Sequence, residues 1–212
     1  MSAHEAAPAK RRDAARSRLA ILDAAERLFA ERGYDGATMA DIASAAGMST
    51  GTPAYFFESK EELYRAVLSR TFAEMAALIR SSHLGVGDPV TTITETVRSY
   101  IAYLVERPNF VRLVIRECLD GGQFLTGLAE HLAALSETLG GLVAESGRGN
   151  VRPDIDLRHL LLSGISLCWF PLVAVPLTHD LGLEPDTAEF VKTRQEQVAK
   201  LLLYGTLSEA AR

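Results

Sequence analysis

Apolar residues recur along the chain at three- and four-residue spacing, and strand-like alternation is scarce. That period predicts helices. Ile21, Leu22, Ala25, Leu28 and Phe29 make the stripe of a first helix, which Gly33 ends. Met39, Ile42, Ala43 and Ala46 make one face of a short second helix. Thr38 and Asp41 have the spacing of a capping box at its start, with Asp in place of the usual Glu or Gln. Gly47 can adopt positive φ and close it, and Met48 is the apolar residue of the turn that follows. Ser49 or Thr50 then caps a third helix. Ser59 and Glu62 form a second capping box, opening a helix from Lys60 to about Arg80 with Leu63, Val67, Phe72, Met75 and Ile79 on its apolar faces.

Further on, Asp88-Pro89 reads as an N-cap followed by proline at the first helical position. Val90, Ile93, Val97, Tyr100, Ile101 and Leu104 continue that helix. Pro108 starts another that ends near Gly121-Gly122, and 124–145 is a further long helix. Asp156 caps the next one. Asp186 opens the last, with Phe190, Val191, Arg194, Val198, Leu201 and Leu202 inward and Gly205 at its end. The expected fold is all-α, with about nine helices.

The second and third helices carry the chemistry. Two short helices joined by a tight turn form the helix-turn-helix pattern. There the second helix lies in the DNA major groove with its N-terminal part nearest the bases. Tyr55, Phe56 and Phe57 stand in a row. Successive helical side chains point about 100° apart, so one face cannot bury all three rings. Gly51 lets backbone come close to a phosphate, and free N–H groups at a helix start favour an anion. The plainer alternative is a small helical corner with exposed aromatics.

The stretch from Gly33 to Leu68 resembles the DNA-binding domain of the TetR family of transcriptional repressors. The matching features are the Gly33–Gly36 turn, the Thr38–Ala46 helix, Gly47, Ser49, Gly51-Thr52, Phe57 and Ser59-Lys60-Glu61-Glu62-Leu63. They cover about the first third of the chain. The resemblance implies an N-terminal three-helix DNA-binding domain and a C-terminal helical bundle for effector binding and dimerisation. Relatives usually carry Leu-Tyr where this chain has Pro53-Ala54, and Tyr or His at the position of Phe56. Their Tyr commonly contacts a phosphate, so Ala54 lacks one such contact. Phe56, about 100° from the buried Phe57, is expected to face the groove. The DNA-contacting residues implied are Thr38, Ser49, Thr50, Gly51, Thr52, Tyr55, Phe56 and Lys60, with Arg11 and Arg12 of a basic arm. The implied division is a flexible arm over 1–15, the DNA-binding domain over 16–62 and the effector and dimerisation domain over 63–212.

Charge refines this picture. The formal net charge is -5, which argues against a general nucleic-acid coat but leaves room for a local basic face. Lys10, Arg11, Arg12, Arg16 and Arg18 precede the first stripe with only Asp13 opposing them. A DNA-backbone or minor-groove arm and a solvated tail both fit that segment. Cys118 and Cys168 lie far apart and show no metal or redox spacing; reduced thiols in a cytoplasmic protein are expected. Residues 160–177 carry no charge and reach the lower limit for a membrane span. Ser163, Gly164, Ser166, Pro171 and Pro176 within them, and the lack of a second candidate, favour a buried interface helix over a membrane span.

The five histidines are scattered, and GxSxG, P-loop and GxGxxG motifs are absent. No enzyme, metal or cofactor is expected. Inside the C-terminal bundle, Met75, Tyr100, Tyr103, Phe110, Arg112, Phe124, His131, Trp169 and Phe170 are candidates to line a mostly apolar effector pocket. Arg112 or Arg116 would suit an acidic ligand; aromatic residues at this spacing are equally core. The expected partners are double-stranded operator DNA, a small-molecule effector and a second copy, bound through helices spanning roughly 156–177 and 186–204. The rival function is a helical ligand-binding or adaptor protein whose helix-turn-helix no longer reads DNA.

Overall fold

A computed structural model describes residues 6–81, 89–125, 152 and 154–207. Nine α-helices and no β-strand are found among the described residues: α1 (Ala6–Gly36), α2 (Met39–Ala45), α3 (Thr52–Phe56), α4 (Lys60–Ser81), α5 (Pro89–Glu106), α6 (Pro108–Leu119), α7 (Leu157–Val173), α8 (Val175–Asp180) and α9 (Ala188–Thr206). The helix expected over 124–145, and His131 with it, lies outside the described residues. Two compact units divide the chain. The first extends to Thr71 and gathers in Arg112–Phe124; the second comprises Phe72–Val111 and the rest. The sequence reading placed one division at 62/63. The return of the chain to the first unit at Arg112, after leaving it at Thr71, has no local signature by which it could be read.

In the first unit, Ile21, Leu22, Ala25, Leu28 and Phe29 of α1 are all buried, with Ile42, Ala43, Phe57, Leu63 and Val67. Gly33 breaks α1 at φ 76, a conformation that glycine adopts without the strain other residues meet. Arg70 of α4 fastens that helix to α1 through Asp23 and Glu26, at 2.6 and 2.5 Å. The basic segment expected to be a flexible arm is helical from Ala6 onward, because α1 begins there.

The second unit packs α5 against α7 and α9. Val97, Ile101 and Leu104 are buried on α5 at spacings of four and three residues. They meet Cys168 and Trp169 of α7 and Val198 and Ala199 of α9 in the buried set. Burial pushes the Cys168 thiol up to about 12, so it behaves as a small apolar side chain. Asp156 caps α7 as expected, accepting from the Arg158 N–H at 2.9 Å. The cap of α9 is Thr187 rather than Asp186: its hydroxyl accepts from the Phe190 N–H at 3.2 Å. Gly205 does not end α9, which continues to Thr206.

The apolar run over 160–177 is broken. α7 stops at Val173 and α8 starts at Val175 with Pro176 in its first turn. Among the described residues no helix is long and apolar enough to cross a membrane. Pro171 sits inside α7 and has no N–H to give the Leu167 carbonyl one turn back. Arg194 of α9 replaces it, donating Nε and Nη2 to that oxygen at 3.2 and 2.6 Å. The expected inward placement of Arg194 is thus met by a charged group serving as a hydrogen-bond donor between helices.

Replacing Arg194 with Met should therefore cost about 1–3 kcal/mol, the penalty for stranding a partly buried carbonyl. In a Pro171→Ala background the helix supplies its own N–H, and the same replacement should cost much less. Denaturant unfolding of the four-variant cycle measures the difference; equal costs in both backgrounds would refute the assignment.

Candidate nucleic-acid interface

α2 forms where its sequence predicts it. Thr38 and Asp41 make both bonds of the capping box: the Asp41 N–H donates to Thr38 Oγ1 at 3.1 Å and the Thr38 N–H to Asp41 Oδ2 at 3.2 Å. The Thr38 hydroxyl, donating to Asp41 Oδ2 at 2.7 Å, and the Thr38 N–H, helped by Arg32 at 3.7 Å, hold the Asp41 carboxyl below the usual carboxylate range. At the other end Gly47 takes φ 67, its N–H donates to Ser44 O, and the Met48 N–H donates to Ala43 O. This is the Schellman closure, which satisfies the last helical carbonyls.

α3 begins later than the sequence reading placed it. Neither Ser49 nor Thr50 caps it; the N-cap is Gly51, with no side-chain bond. Ser49 and Thr52 hydroxyls instead bond each other at 2.7 Å, and the Thr52 N–H donates to Ser49 O. Pro53 occupies the first turn, where its missing N–H costs nothing, and is buried. The Phe57 N–H closes the helix on Pro53 O. Phe57 is 1% exposed, and the Arg18 guanidinium of α1 lies 4.8 Å above its ring.

The outward face of α3 follows from that anchor. Tyr55 is 84% exposed. Phe56 is half-buried and meets the Tyr55 ring edge-on at 5.1 Å between centroids. Thr38, Ser49, Thr50, Gly51 and Ala54 are exposed and Thr52 is half-buried. Arg12 lies exposed near the start of α1, and Arg11 precedes it on the same helix. Lys60 is placed differently from a free phosphate ligand. Its ammonium donates to the Tyr34 carbonyl at 3.0 Å and sits 4.3 Å from the centre of the Tyr34 ring. At the start of α4 the Ser59 hydroxyl accepts from the Glu62 N–H, but the Glu62 carboxylate takes the N–H of Glu58, so the second capping box is only half made.

Two residues at the end of α6, and one in the segment after it, also hold this unit. Arg116 donates to the Ala30 and Glu31 carbonyls at 3.0 and 2.9 Å, placing a cation on carbonyls of α1 just before its break. Glu117 is 2% exposed and accepts from Tyr64 Oη at 2.9 Å and from the Phe124 N–H at 2.8 Å. Burial, then the Glu117 carboxylate, raises the Tyr64 hydroxyl well above the ordinary tyrosine range, which keeps it a donor. Phe124 packs among Tyr34 and Tyr64, with the Arg65 guanidinium 4.8 Å from its ring. Nothing near positions 116 and 117 in sequence announces their contacts with Ala30, Glu31 and Tyr64, because those partners lie on other helices.

The effector candidates divide between the units. Arg112 and Phe124 belong to the first, Arg112 exposed and Phe124 buried. In the second, Met75, Tyr103, Phe110 and Trp169 are buried and Tyr100 is half-buried. Phe110 lies edge-on to Phe72, Tyr103 and Trp169. The Trp169 indole donates to the Tyr100 hydroxyl, which burial keeps protonated. Phe170 is 57% exposed. A polar cleft of about 210 Å³ between α5 and α9, lined by Thr94, Arg98, Lys192, Gln195 and Glu196, contains none of the candidates.

The family profile described as bacterial regulatory proteins, tetR family, matches residues 21–67, and one described as tetracyclin repressor-like, C-terminal domain, matches 89–201. The HTH-type transcriptional repressor NicS of Pseudomonas putida is 32% identical over 160 residues, covering 73% of this chain and 75% of that protein. The HTH-type transcriptional regulator RutR of Escherichia coli K12 is 32% identical over 143 residues, 67% of each. Among solved structures, FadR from Bacillus subtilis in complex with stearoyl-CoA aligns with a TM-score of 0.70 at 17% identity, covering 88% of this chain and 98% of that one. The ketosteroid regulator KstR2 of Mycobacterium tuberculosis aligns with a TM-score of 0.67 at 21% identity, covering 91% and 95%. At these identities the two structures speak for the fold alone.

Phe56→Ala separates a packing role from a recognition role. A half-buried ring outside the fully buried set should cost well under the about 3–5 kcal/mol of a core Phe truncation. Thermal unfolding should therefore move little while affinity for a bound duplex falls. A drop in melting temperature of the size a core truncation causes would place Phe56 in the core instead.

Proposed function

The chain belongs to the TetR family of bacterial regulatory proteins, and we propose that this DNA-binding regulator is a repressor released from its operator when a small molecule enters its second unit. The observation that carries the DNA-binding reading is the exposed face of α3, with Ala54 and Tyr55 outward, and Thr50 exposed just before the helix, while Pro53 and Phe57 are buried beneath. A helix so placed is free to enter a major groove. Arg11 and Arg12, on the first turns of α1, would neutralise phosphates and give binding its salt dependence.

Two copies would present two such helices about 34–36 Å apart, one turn of the duplex. The surface we assign to that pairing lies on α7 and α9, where Leu162, Phe170, Val173, Leu201 and Tyr204 are exposed. Leu202 serves a different end: its side chain reaches to within 3.6 Å of where a Cβ at Gly164 would stand, so it closes α7 on α9 within one chain. Effector would bind among Met75, Tyr100, Tyr103, Phe110 and Trp169, an apolar group with one hydroxyl–indole pair to orient a ligand. Its effect on DNA can be no larger than its preference for one arrangement of the protein over the other.

The full-length wild type should sediment as a dimer at micromolar concentration and retard duplexes drawn from the DNA upstream of its own gene. Leu201→Asp should give a folded monomer with strongly reduced affinity. A wild-type monomer, or a monomeric variant that binds as well as wild type, would count against the dimer. Failure to retard any duplex would favour the adaptor reading instead.

Trp169 is the only tryptophan in the chain. An effector that releases DNA should therefore change the intrinsic tryptophan emission over the same concentration range, and the change should shrink in Tyr100→Phe. A releasing ligand that leaves the emission untouched would place the effector site elsewhere.

A further inference from the structure

We infer that α3 reads its operator through thymine methyl groups, with Ala54, Tyr55 and Phe56 as the reading surface. This rests on the proposal above that α3 enters the major groove. The major groove distinguishes the four base pairs by hydrogen-bonding edges and by the thymine C5-methyl. Guanine is read best by Arg or Lys, and adenine by Asn or Gln, each in a paired contact. From Ala37 to Ser59 the chain contains no Arg, Lys, His, Asn or Gln at all. The next cation, Lys60, is held on the Tyr34 carbonyl and ring.

The hydroxyls of the same stretch are mostly committed. Thr38 bonds Asp41, Ser49 bonds Thr52, and Ser59 accepts from Glu62. What α3 offers outward is a methyl at Ala54 and two aromatic rings at Tyr55 and Phe56, locked edge-to-face. Pro53 fixes the turn beneath them. The apolar part of such a surface is complementary to the methyl of thymine in the groove. The Tyr55 hydroxyl can add one hydrogen bond as donor or acceptor. Glu58, exposed just beyond α3, is a carboxylate able to accept from a cytosine amine, and so marks the competing outcome.

The test uses the full chain. Binding sites are first selected from a random duplex library. In the selected duplex each thymine is then replaced by deoxyuridine, which removes only the methyl, and each guanine by 7-deazaguanine, which removes the N7 acceptor. At least one thymine in each half-site should lose about fourfold in affinity on methyl removal, the worth of one buried methyl-sized group, and replacement in both half-sites should multiply the losses. Tyr55→Ala should erase that discrimination, with melting temperature unchanged because its side chain is outside the core. 7-Deazaguanine should be neutral at the positions α3 covers. The inference is overturned if deoxyuridine is neutral at every position. It is equally overturned if 7-deazaguanine costs more than deoxyuridine there, or if Glu58→Gln alone changes the preferred base. Enrichment of no sequence would instead remove sequence-specific binding itself, and this inference with it.

Discussion

A five-residue helix cannot support itself. Closing the first helical turn is unfavourable, and helices shorter than about 12–15 residues are marginal in water. α3 exists because Pro53 and Phe57 are buried beneath it and because α1 and α2 provide the surface on which they lie. Truncating a buried Phe typically costs about 3–5 kcal/mol, against a total stability of about 5–15 kcal/mol for a domain. The outward face of α3 is thus a by-product of one ring's burial. With Phe57 inward, Tyr55 must point out, and Phe56 falls at the margin between core and solvent.

The rest of the first unit keeps that platform at a fixed angle. α1 supplies an apolar stripe, Arg70 binds α4 to it through Asp23 and Glu26, and Arg116 occupies its final carbonyls before the break at Gly33. Glu117 then joins Tyr64 of α4 to the backbone of Phe124. A buried carboxylate is costly unless its lone pairs are satisfied. Its two donors come from the helix that follows the recognition element and from the segment after α6. Any movement at the end of α6 must keep those bonds or break them.

Local features of this architecture could be read from the sequence. The stripe of α1, the capping box at Thr38 and Asp41, the Gly47 closure and the Asp156 cap all depend on residues close together along the chain, and each appears where its spacing placed it. Fold class and family followed from the same local signals. The start of α3 was misplaced because Ser49 and Thr52 satisfy each other's hydroxyls instead of the helix N–H groups. The tethering of Lys60 to Tyr34 spans 26 residues, the Arg194 bond to Leu167 spans 27, and the Tyr64–Glu117 bond spans 53. No periodicity encodes such pairs. Pro171 was the single hint: a proline within a helical run leaves a carbonyl four residues back in need of a donor, and the sequence does not say which.

The central claim is that α3, held by Phe57, is the surface that meets DNA. Amide hydrogen exchange of the full chain, with and without a bound duplex, tests it most directly. Binding should slow exchange across Ser49–Phe57 and the first turns of α1, while the interior of α5 and α9 stays unchanged. Protection confined to other helices, with the amides of α3 exchanging as fast as in the free protein, would contradict the account.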